Sequence, residues 1–425
     1  MKAREYAWKY LCDICIHEKY SNLVLRQGMK DLTKQDKAFV TQIVYGTLQN
    51  YRYVRYLWED YVDKQPCEKI SILLDMSIYQ LVFMDKLPSY AIVHDAVEIA
   101  KKIKKGTYSK LVNAVLRNVM KHPLKEVVGS KEEVLALKTS HPLWIVNMWE
   151  SQYGWENCEK ICQCNLQENV QTIRVNSLKT TKEECKDILG NCEDGYVAKD
   201  ALRYFGGNVA TTSYYKEGFV SIQDEASQLV AYMVDPQRGE RILDVCSAPG
   251  TKATHMAQLM HNEGYLLCGD IHPHRVQLIE EGAKRLGISI MDAKCMDATD
   301  LQTIEDESFD RVLCDVPCSG YGVLGRKSDI KYHMKSNDMD TLIPIQYHIF
   351  RNASRKVKEG GILVYSTCTL NKKENEKQVE LFLKEHEEFK LLEEQTIFPF
   401  TYHCDGFYMA KLRKGDKKED MDERG

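Results

Sequence analysis

The chain has 425 residues, 44% of them hydrophobic, and sets 58 Lys and Arg against 62 Asp and Glu for a formal net charge of −4. A single core serves about 100 to 200 residues, which excludes one globular unit in favour of two or three, and the near-neutral balance excludes nucleic-acid binding by bulk charge, leaving only local patches. No run approaches the roughly 18 uninterrupted apolar residues of a membrane span, and the charged opening Met1-Lys2-Ala3-Arg4-Glu5-Tyr6 lacks an apolar signal core, so a cytoplasmic protein with no membrane partner is expected.

Residues 1–130 read as an all-helical domain. Apolar positions recur at three and four residue spacings through Tyr6, Tyr10 and Ile14, through Phe39, Ile43 and Leu48, through Leu74, Ile78 and Leu81, and through Leu111, Val115 and Val119. Breaks fall near Asp31-Leu32-Thr33, Gln65-Pro66, Leu87-Pro88 and Gly106-Thr107. Cys12 and Cys15 have the spacing of a redox or zinc pair, but they lie in helix with no ligand partner. The 15 cysteines form no dense short-spaced framework, so reduced thiols and no metal are expected. Lys101, Lys102, Lys104, Lys105, Lys110, Arg117, Lys121 and Lys125 follow one another with no acid between them. Such a patch draws phosphates; a solvated helix face is the plain alternative.

Residues 131–235 change character and read as a small α+β linking subdomain. A helical piece opens at His141-Pro142, short strands are expected at Gln171 to Asn176 and Gly218 to Asp224, and Asp224 and Glu225 are placed to cap a helix from Ala226 to Met233.

Residues 236–412 alternate strand and helix. Strands are expected at Arg241 to Cys246, Tyr265 to Gly269, Ser289 to Asp292, Arg311 to Asp315 and Gly361 to Ser366, with a late edge strand at Gly406 to Ala410. Helices are expected at Thr251 to His261, Pro273 to Leu286 and Thr341 to Lys358. Strands apolar on both faces need helices on both sides of a mostly parallel sheet, so the fold class is α/β with a doubly wound core. The charge-rich run 413–425 reads as a fraying tail.

Ligands in such sheets gather outside the carboxyl ends of the strands. The first strand ends at Asp244 and runs into Cys246-Ser247-Ala248-Pro249-Gly250-Thr251-Lys252, which fits neither the dinucleotide nor the triphosphate fingerprint. Asp270 ends the second strand, where it can accept from ribose hydroxyls, and Asp297 follows the third, where it can meet an adenine amino group; a turn or cap is the plain alternative for each. The set suits an adenosine-bearing ligand without pyrophosphate, namely S-adenosylmethionine.

Two further strand ends carry thiols, Cys318 in Asp315-Val316-Pro317-Cys318 and Cys368 in Ser366-Thr367-Cys368-Thr369. C5 of cytosine is a poor nucleophile until a thiolate adds at C6, so methylation there calls for a reactive cysteine, an acid near N3 and a base for the C5 proton. Cys368, Asp315 and Cys318 meet that requirement in part, with a helix beginning near Asn371, and Lys372 and Lys373, as sources of positive potential for the thiolate. Between the thiols, a glycine-rich stretch and then Arg326, Lys327 and Lys331 can hold a nucleotide backbone, with Tyr321 or Tyr332 available to stack on a base. The rival readings are a DNA cytosine methyltransferase with Cys318 as nucleophile, a noncatalytic RNA-binding or assembly protein, and a metal or redox protein.

Taken in concert, these motifs resemble the RNA cytosine-5 methyltransferase family, and the likeness spans nearly the whole chain. The resemblance implies a helical NusB-like RNA-binding domain, a connecting region with Arg174-Val175-Asn176, and a Rossmann-like class I methyltransferase core. It also implies that Cys246 to Lys252, Asp270, Arg275, Asp297 and Asp315 bind S-adenosylmethionine, that Cys368 is the nucleophile, and that Cys318 assists release of the adduct. Asp315 would face N3. The partner implied is small-subunit ribosomal RNA with one defined cytosine as target, and the protein is expected to be a monomer. Thr251 stands where a second glycine is common in the family, which alters loop packing and not mechanism.

Overall fold

The computed structural model describes residues 2–29, 31–103, 106–167 and 170–415. The chain divides into two compact units, one formed by Met1–Gln167 with Leu324–Ser336 and the other by Glu168–Val323 with Asn337–Gly425. Among the described residues no helix is long and apolar enough to cross a membrane.

The first unit is helical: α1 (Ala3–His17), α2 (Ser21–Gly28), α3 (Lys34–Tyr56), α4 (Glu68–Phe83), α5 (Ser89–Lys101), α6 (Ser109–Lys121), α7 (Lys131–Lys138), α8 (Leu143–Tyr153) and α9 (Trp155–Cys164). Local chemistry sets these bounds. Thr33 caps α3 by accepting from the Asp36 amide, Pro88 stands immediately before α5, and Ser130 and Glu133 form a capping box on α7. Helix α4 is buried without interruption from Ile70 to Gln80, which makes it the centre of the bundle. Its Asp75 therefore needs partners, and takes them from Trp58 Nε1 at 2.7 Å and Arg55 Nη2 at 2.6 Å. The helical unit does not stop near residue 130, where composition changes. Ser140 Oγ accepts from the Tyr53 amide at 3.2 Å, and buried His141 bonds to Thr139 Oγ1 at 2.9 Å and Asn165 Nδ2 at 3.0 Å, so residues 131–167 are tied into the same bundle.

The second unit opens with β1 (Gln171–Val175), α10 (Lys182–Leu189), β2 (Cys192–Asp194), β3 (Ala201–Tyr204), α11 (Ser213–Lys216) and β4 (Val220–Ile222), which make a four-stranded sheet ordered β2-β3-β1-β4 with every pairing antiparallel. Then come α12 (Glu225–Val234), β5 (Arg241–Asp244), α13 (Thr251–Leu259), β6 (Tyr265–Asp270), α14 (Pro273–Leu286), β7 (Met291–Cys295) and β8 (Phe309–Asp315). After α15 (Ser328–His333), in the segment that belongs to the helical unit, follow α16 (Met339–Ser354), β9 (Val357–Thr367), α17 (Glu376–Glu385), β10 (Phe389–Ile397), α18 (Pro399–Tyr402) and β11 (Phe407–Lys414).

Seven of these strands form one sheet in the order β10-β11-β9-β8-β5-β6-β7, with β11 antiparallel to both neighbours and the other pairings parallel. Alternation decides which layer each residue joins. Ile242, Leu266, Cys268, Leu313, Val364 and Met409 pack with α12, α13 and α14 on one face, while their neighbours Leu243, Leu267, Val312, Cys314, Leu363 and Tyr408 pack with α16 and α17 on the other. The order in which strands are added reverses between β5 and β8, since the chain runs outward from β5 through β6 to β7 and then returns to place β8 and β9 on the other side, and this is the switch point at which such sheets open a crevice.

Two expectations change here. The late strand is not an edge: β11 lies between β9 and β10, and it extends to Lys414, so Arg413 and Lys414 are paired with Lys390 and Phe389. The true edge, β10, escapes the sequence pattern because Lys390 to Glu394 are exposed on both faces and show no apolar alternation. Residues 416–425 of the expected tail lie outside the described residues.

Candidate active site

The carboxyl ends of β5 and β8 lie side by side, with Asp244 in register with Leu313. Beyond Asp244 the chain turns at Gly250, whose φ of 92° is left-handed and whose Cβ would stand 3.3 Å from the Ile279 backbone, so glycine is needed there. Helix α13 starts at the next residue. Buried Arg174 on β1 donates to the Thr251 carbonyl at 2.7 Å and to Thr254 Oγ1 at 3.1 Å, which pins the first turn of that helix. Burial lowers the guanidinium to about 9.

Asp244 is 1% exposed, and among the described residues neither of its carboxylate oxygens has a hydrogen-bond partner; nor has the hydroxyl of buried Ser247. Burial, and then the charge of Asp315, push this acid up to about 7. The loop is held against β6 by the Ser247 amide, which donates to the Gly269 carbonyl at 2.7 Å. At the end of β6, buried Asp270 accepts from the His272 amide at 3.0 Å, and Arg275 Nη1 lies 3.7 Å from its second oxygen. Cys246 to Lys252, Asp270 and Arg275 are thus gathered at one edge of the sheet. Asp297 follows Met296, whose amide donates to the Asp270 carbonyl at 3.0 Å, and one of its oxygens is taken by the Thr299 amide and hydroxyl at 2.8 and 2.7 Å. Orphaned buried acceptors at a strand's carboxyl end are what a ligand with hydroxyl and amino donors would complete, so the donor and acceptor set fits an adenosine-bearing cofactor. The signal in the sequence for Asp244 is its place as the last residue of β5.

The reactive groups stand on the next two strand ends. Asp315 closes β8, with Lys252 Nζ 2.8 Å from one carboxylate oxygen and Ser366 Oγ donating to the other at 2.9 Å. Burial works against the charge of Lys252, whose side chain is only 12% exposed, but the adjacent Asp315 carboxylate outweighs it and raises the amine, with Cys368 and Asp244 adding to the effect. Coulombic coupling is mutual, so the same ammonium favours negative charge on the Cys368 sulfur. Cys318 Sγ stands 3.4 Å from Cys368 Sγ. Its hydrogen bond to Cys368, and then burial, hold the Cys318 thiol well above the usual range, so this sulfur keeps its proton.

A polar scaffold, missed by sequence reasoning, fixes the two thiol loops to each other. Glu374 is fully buried and accepts from the Ser319 amide at 2.9 Å, Ser319 Oγ at 2.6 Å, Gln346 Nε2 at 2.9 Å and Asn371 Nδ2 at 3.0 Å. Asn375 Nδ2 donates to the Thr369 carbonyl at 2.9 Å, and the Gly322 amide donates to the Cys368 carbonyl at 3.1 Å. A Cβ on Gly322 would fall 1.9 Å from the Gly406 carbonyl oxygen, so the close approach depends on glycine. This scaffold also corrects an expectation: no helix begins near Asn371, because Asn371, Glu374 and Asn375 bind loop groups instead and α17 starts only at Glu376. Lys252 interacts electrostatically with Cys368 and so contributes positive potential there. A polar run directly after a cysteine-bearing strand was the available signal.

The expected RNA contacts fare unevenly. On the helical unit Lys101 is bonded to Glu98 at 2.6 Å and Lys102 to Glu5 at 2.9 Å, so acids from elsewhere in the fold partly offset the basic run; Lys110 and Arg117 are exposed. Lys104 and Lys105 lie outside the described residues. Lys327 is exposed and Arg326 half-buried. Lys331 requires correction. It is 0% exposed, its Nζ donates to the carbonyls of Gln49 at 2.9 Å and Thr139 at 3.4 Å, and burial lowers it to about 7, so it cannot meet a phosphate. The segment around it is an anchor within the helical unit, where Asp329 accepts from the Ser21 amide at 3.3 Å and the Tyr332 ring lies 4.5 Å from that of Tyr51. Tyr321 is 1% exposed, so it offers no free face to a base, while Tyr332 is half-buried with the Tyr51 ring against it.

Comparison with known proteins bears on the whole chain. Residues 231–413 match the family described as 16S rRNA methyltransferase RsmB/F, residues 1–121 match the NusB family, and residues 141–201 match the ferredoxin-like domain of RsmF/B-like methyltransferases. Among curated proteins the chain is 39% identical to the probable ribosomal RNA small subunit methyltransferase B of Bacillus subtilis, over 97% of this chain and 98% of that one. It is 33% identical to the probable counterpart in Synechocystis, over 97% of this chain and 100% of that one. Among solved structures, the protein PH0851 superposes with a TM-score of 0.84 at 24% identity, over 97% of this chain and 99% of that one, a likeness of fold.

Proposed function

Because the chain belongs to the ribosomal RNA small subunit methyltransferase B family, we propose that it transfers a methyl group from S-adenosylmethionine to C5 of one defined cytosine in small-subunit ribosomal RNA, through a covalent cysteine adduct. The observation that carries this reading is the juxtaposition of Cys318 and Cys368 at 3.4 Å beside the Lys252–Asp315 ion pair.

In this reading Cys368, favoured as thiolate by Lys252, adds to C6 of the cytosine, and the ring's electrons move toward N3 and C5. Asp315, held from one side by Lys252 and from the other by Ser366, faces N3 and relays to it a proton from the Lys252 ammonium, which neutralises the negative charge that develops there and is returned when the thiolate leaves. Cys246 to Lys252, with Asp244, Asp270, Arg275 and Asp297, would hold the cofactor. When bound, it would supply an electrophilic methyl group from its sulfonium and leave as the neutral thioether. Once C5 has been methylated, a base removes its proton, the C6–S bond breaks, and Cys368 departs as thiolate; Cys318, which holds a proton against that sulfur, assists the departure. Glu374 and Asn375 keep the two loops in register so that the sulfurs remain adjacent.

The test is methylation of unmodified small-subunit RNA by the full chain with labelled cofactor, followed by mapping of the product. One 5-methylcytosine at a single site is expected. No transfer, transfer to DNA in preference, or methylation of another base would overturn the reading.

A further inference from the structure

A row of planar side chains crosses the surface of the second unit and belongs to none of the machinery above. The guanidinium carbon of Arg203, on β3, lies 4.5 Å from the ring centre of Tyr196 and 5.3 Å from that of Phe205, and the Tyr196 ring lies 5.5 Å from that of His403. Tyr196 is 51% and Phe205 48% exposed, and His403 is exposed as well.

Exposed rings on loops are ordinarily mobile, but this backbone is clamped. Buried Glu225 accepts from the amides of Tyr196, Val197 and Ala198 at 3.0, 2.8 and 3.0 Å, so three successive donors close on one carboxylate. The adjacent Asp224 accepts from the Asp405 amide at 3.0 Å. Two neighbouring acids at the start of α12 therefore fix both loops, and with them the meeting of Tyr196 and His403. The row also leads toward the thiols. Gly406, at most about 11 Å of extended chain from His403, donates from its amide to the Gly322 carbonyl at 2.7 Å, and the Gly322 amide donates to the carbonyl of Cys368.

We propose that Phe205, Arg203, Tyr196 and His403 form a stacking track for the single-stranded RNA that flanks the target cytosine. The inference rests on the RNA-methylating function proposed above and adds to it the place where the substrate's neighbouring bases lie. Rings and a guanidinium plane in alternation match the chemistry of unpaired bases, whose π-faces stack without regard to sequence, and Arg203 can add charge for the backbone. Its present partner Glu193, 3.0 Å away and 64% exposed, forms a solvent-screened pair that a phosphate can replace. A pre-positioned track would also lower the ordering cost of seating a flexible strand.

The test compares wild type with Tyr196→Ala, Phe205→Ala, their double variant and Tyr196→Phe, using the full chain and a single-stranded RNA that spans the mapped target. Each alanine is expected to weaken RNA affinity and raise the KM for RNA about tenfold, the double variant more, and Tyr196→Phe little. kcat at saturating RNA and cofactor affinity should stay within about twofold of wild type, which a general folding defect would not allow. Photo-crosslinking of thiouridine-substituted RNA to wild type should map to Tyr196 or Phe205, a readout that does not depend on the variants folding. Alanine variants with wild-type affinity and KM, in an enzyme that methylates RNA, would overturn the track alone. Normal methylation of free RNA combined with loss of activity on protein-bound RNA would make this face a protein-docking surface and overturn it too. A wild type that methylates no RNA would overturn both this inference and the function on which it rests.

Discussion

Two enclosed lysines, one in each unit, meet opposite fates. Lys252 has the Asp315 carboxylate at 2.8 Å, and that charge raises the amine despite its burial. Lys331 is buried against backbone carbonyls and has no carboxylate partner among the described residues, so burial prevails and lowers it to about 7. The difference teaches that enclosure alone does not make a lysine functional. An opposite charge keeps Lys252 ionised next to a thiol that benefits from it, whereas Lys331 is an anchor whose charge the fold tolerates poorly.

The contrast can be tested at both ends. Lys252→Met should have the largest effect, because it removes the charge favouring the Cys368 thiolate and leaves Asp315 unpaired. We expect the single-turnover methylation rate to fall about 100-fold at neutral pH and to recover partly as pH rises, since alkali can then supply the thiolate. A pH–rate profile displaced only in height would remove Lys252 from thiol activation. Lys331→Met should leave methylation near wild type and stabilise the helical unit by about 1 to 4 kcal/mol at pH 6, by ending the burial of a charge. If it abolished activity as Lys252→Met does, the contrast would fail.

The smallest effect is a slope. The folded Lys331 amine releases its proton near pH 7, while the unfolded one holds it to about 10.5, so between those values the unfolded state binds more protons. Wild-type stability should therefore gain from this group as pH rises from 7 toward 10.5. Below pH 7 both states are protonated and the contribution is flat. Urea titrations across this range should show Lys331→Met lacking that gain.

Much of this architecture was legible because it rests on periodicity and on strand ends. Short continuous apolar runs located β5, β6 and β8, and the loop from Cys246 to Lys252, Asp270, and the motifs around Cys318 and Cys368 all fall at carboxyl ends, where ligand chemistry is concentrated. What stayed hidden depended on long-range partners. Nothing local to Lys331 distinguishes a buried anchor from a phosphate contact, and the run Arg326-Lys327 beside it favours the wrong choice. In the sequence Glu374 is one more charge in a polar stretch, and only the fold brings Ser319, Gln346 and Asn371 to converge on it. The expected helix near Asn371 failed for the same reason, since the groups that would have started it are bound to the thiol loops. Strand β10 was missed because an edge exposed on both faces has no alternation to read.

The proposed chemistry stands on Cys368 bonding to the target cytosine and Cys318 assisting its release. It is tested most directly by incubating Cys318→Ala and Cys368→Ala with cofactor and unmodified small-subunit RNA, isolating complexes that survive denaturation, and mapping the crosslinked peptide. Cys318→Ala is expected to accumulate a complex joined through the peptide containing Cys368, and Cys368→Ala to form none. A stable complex in Cys368→Ala, joined through Cys318, would contradict it.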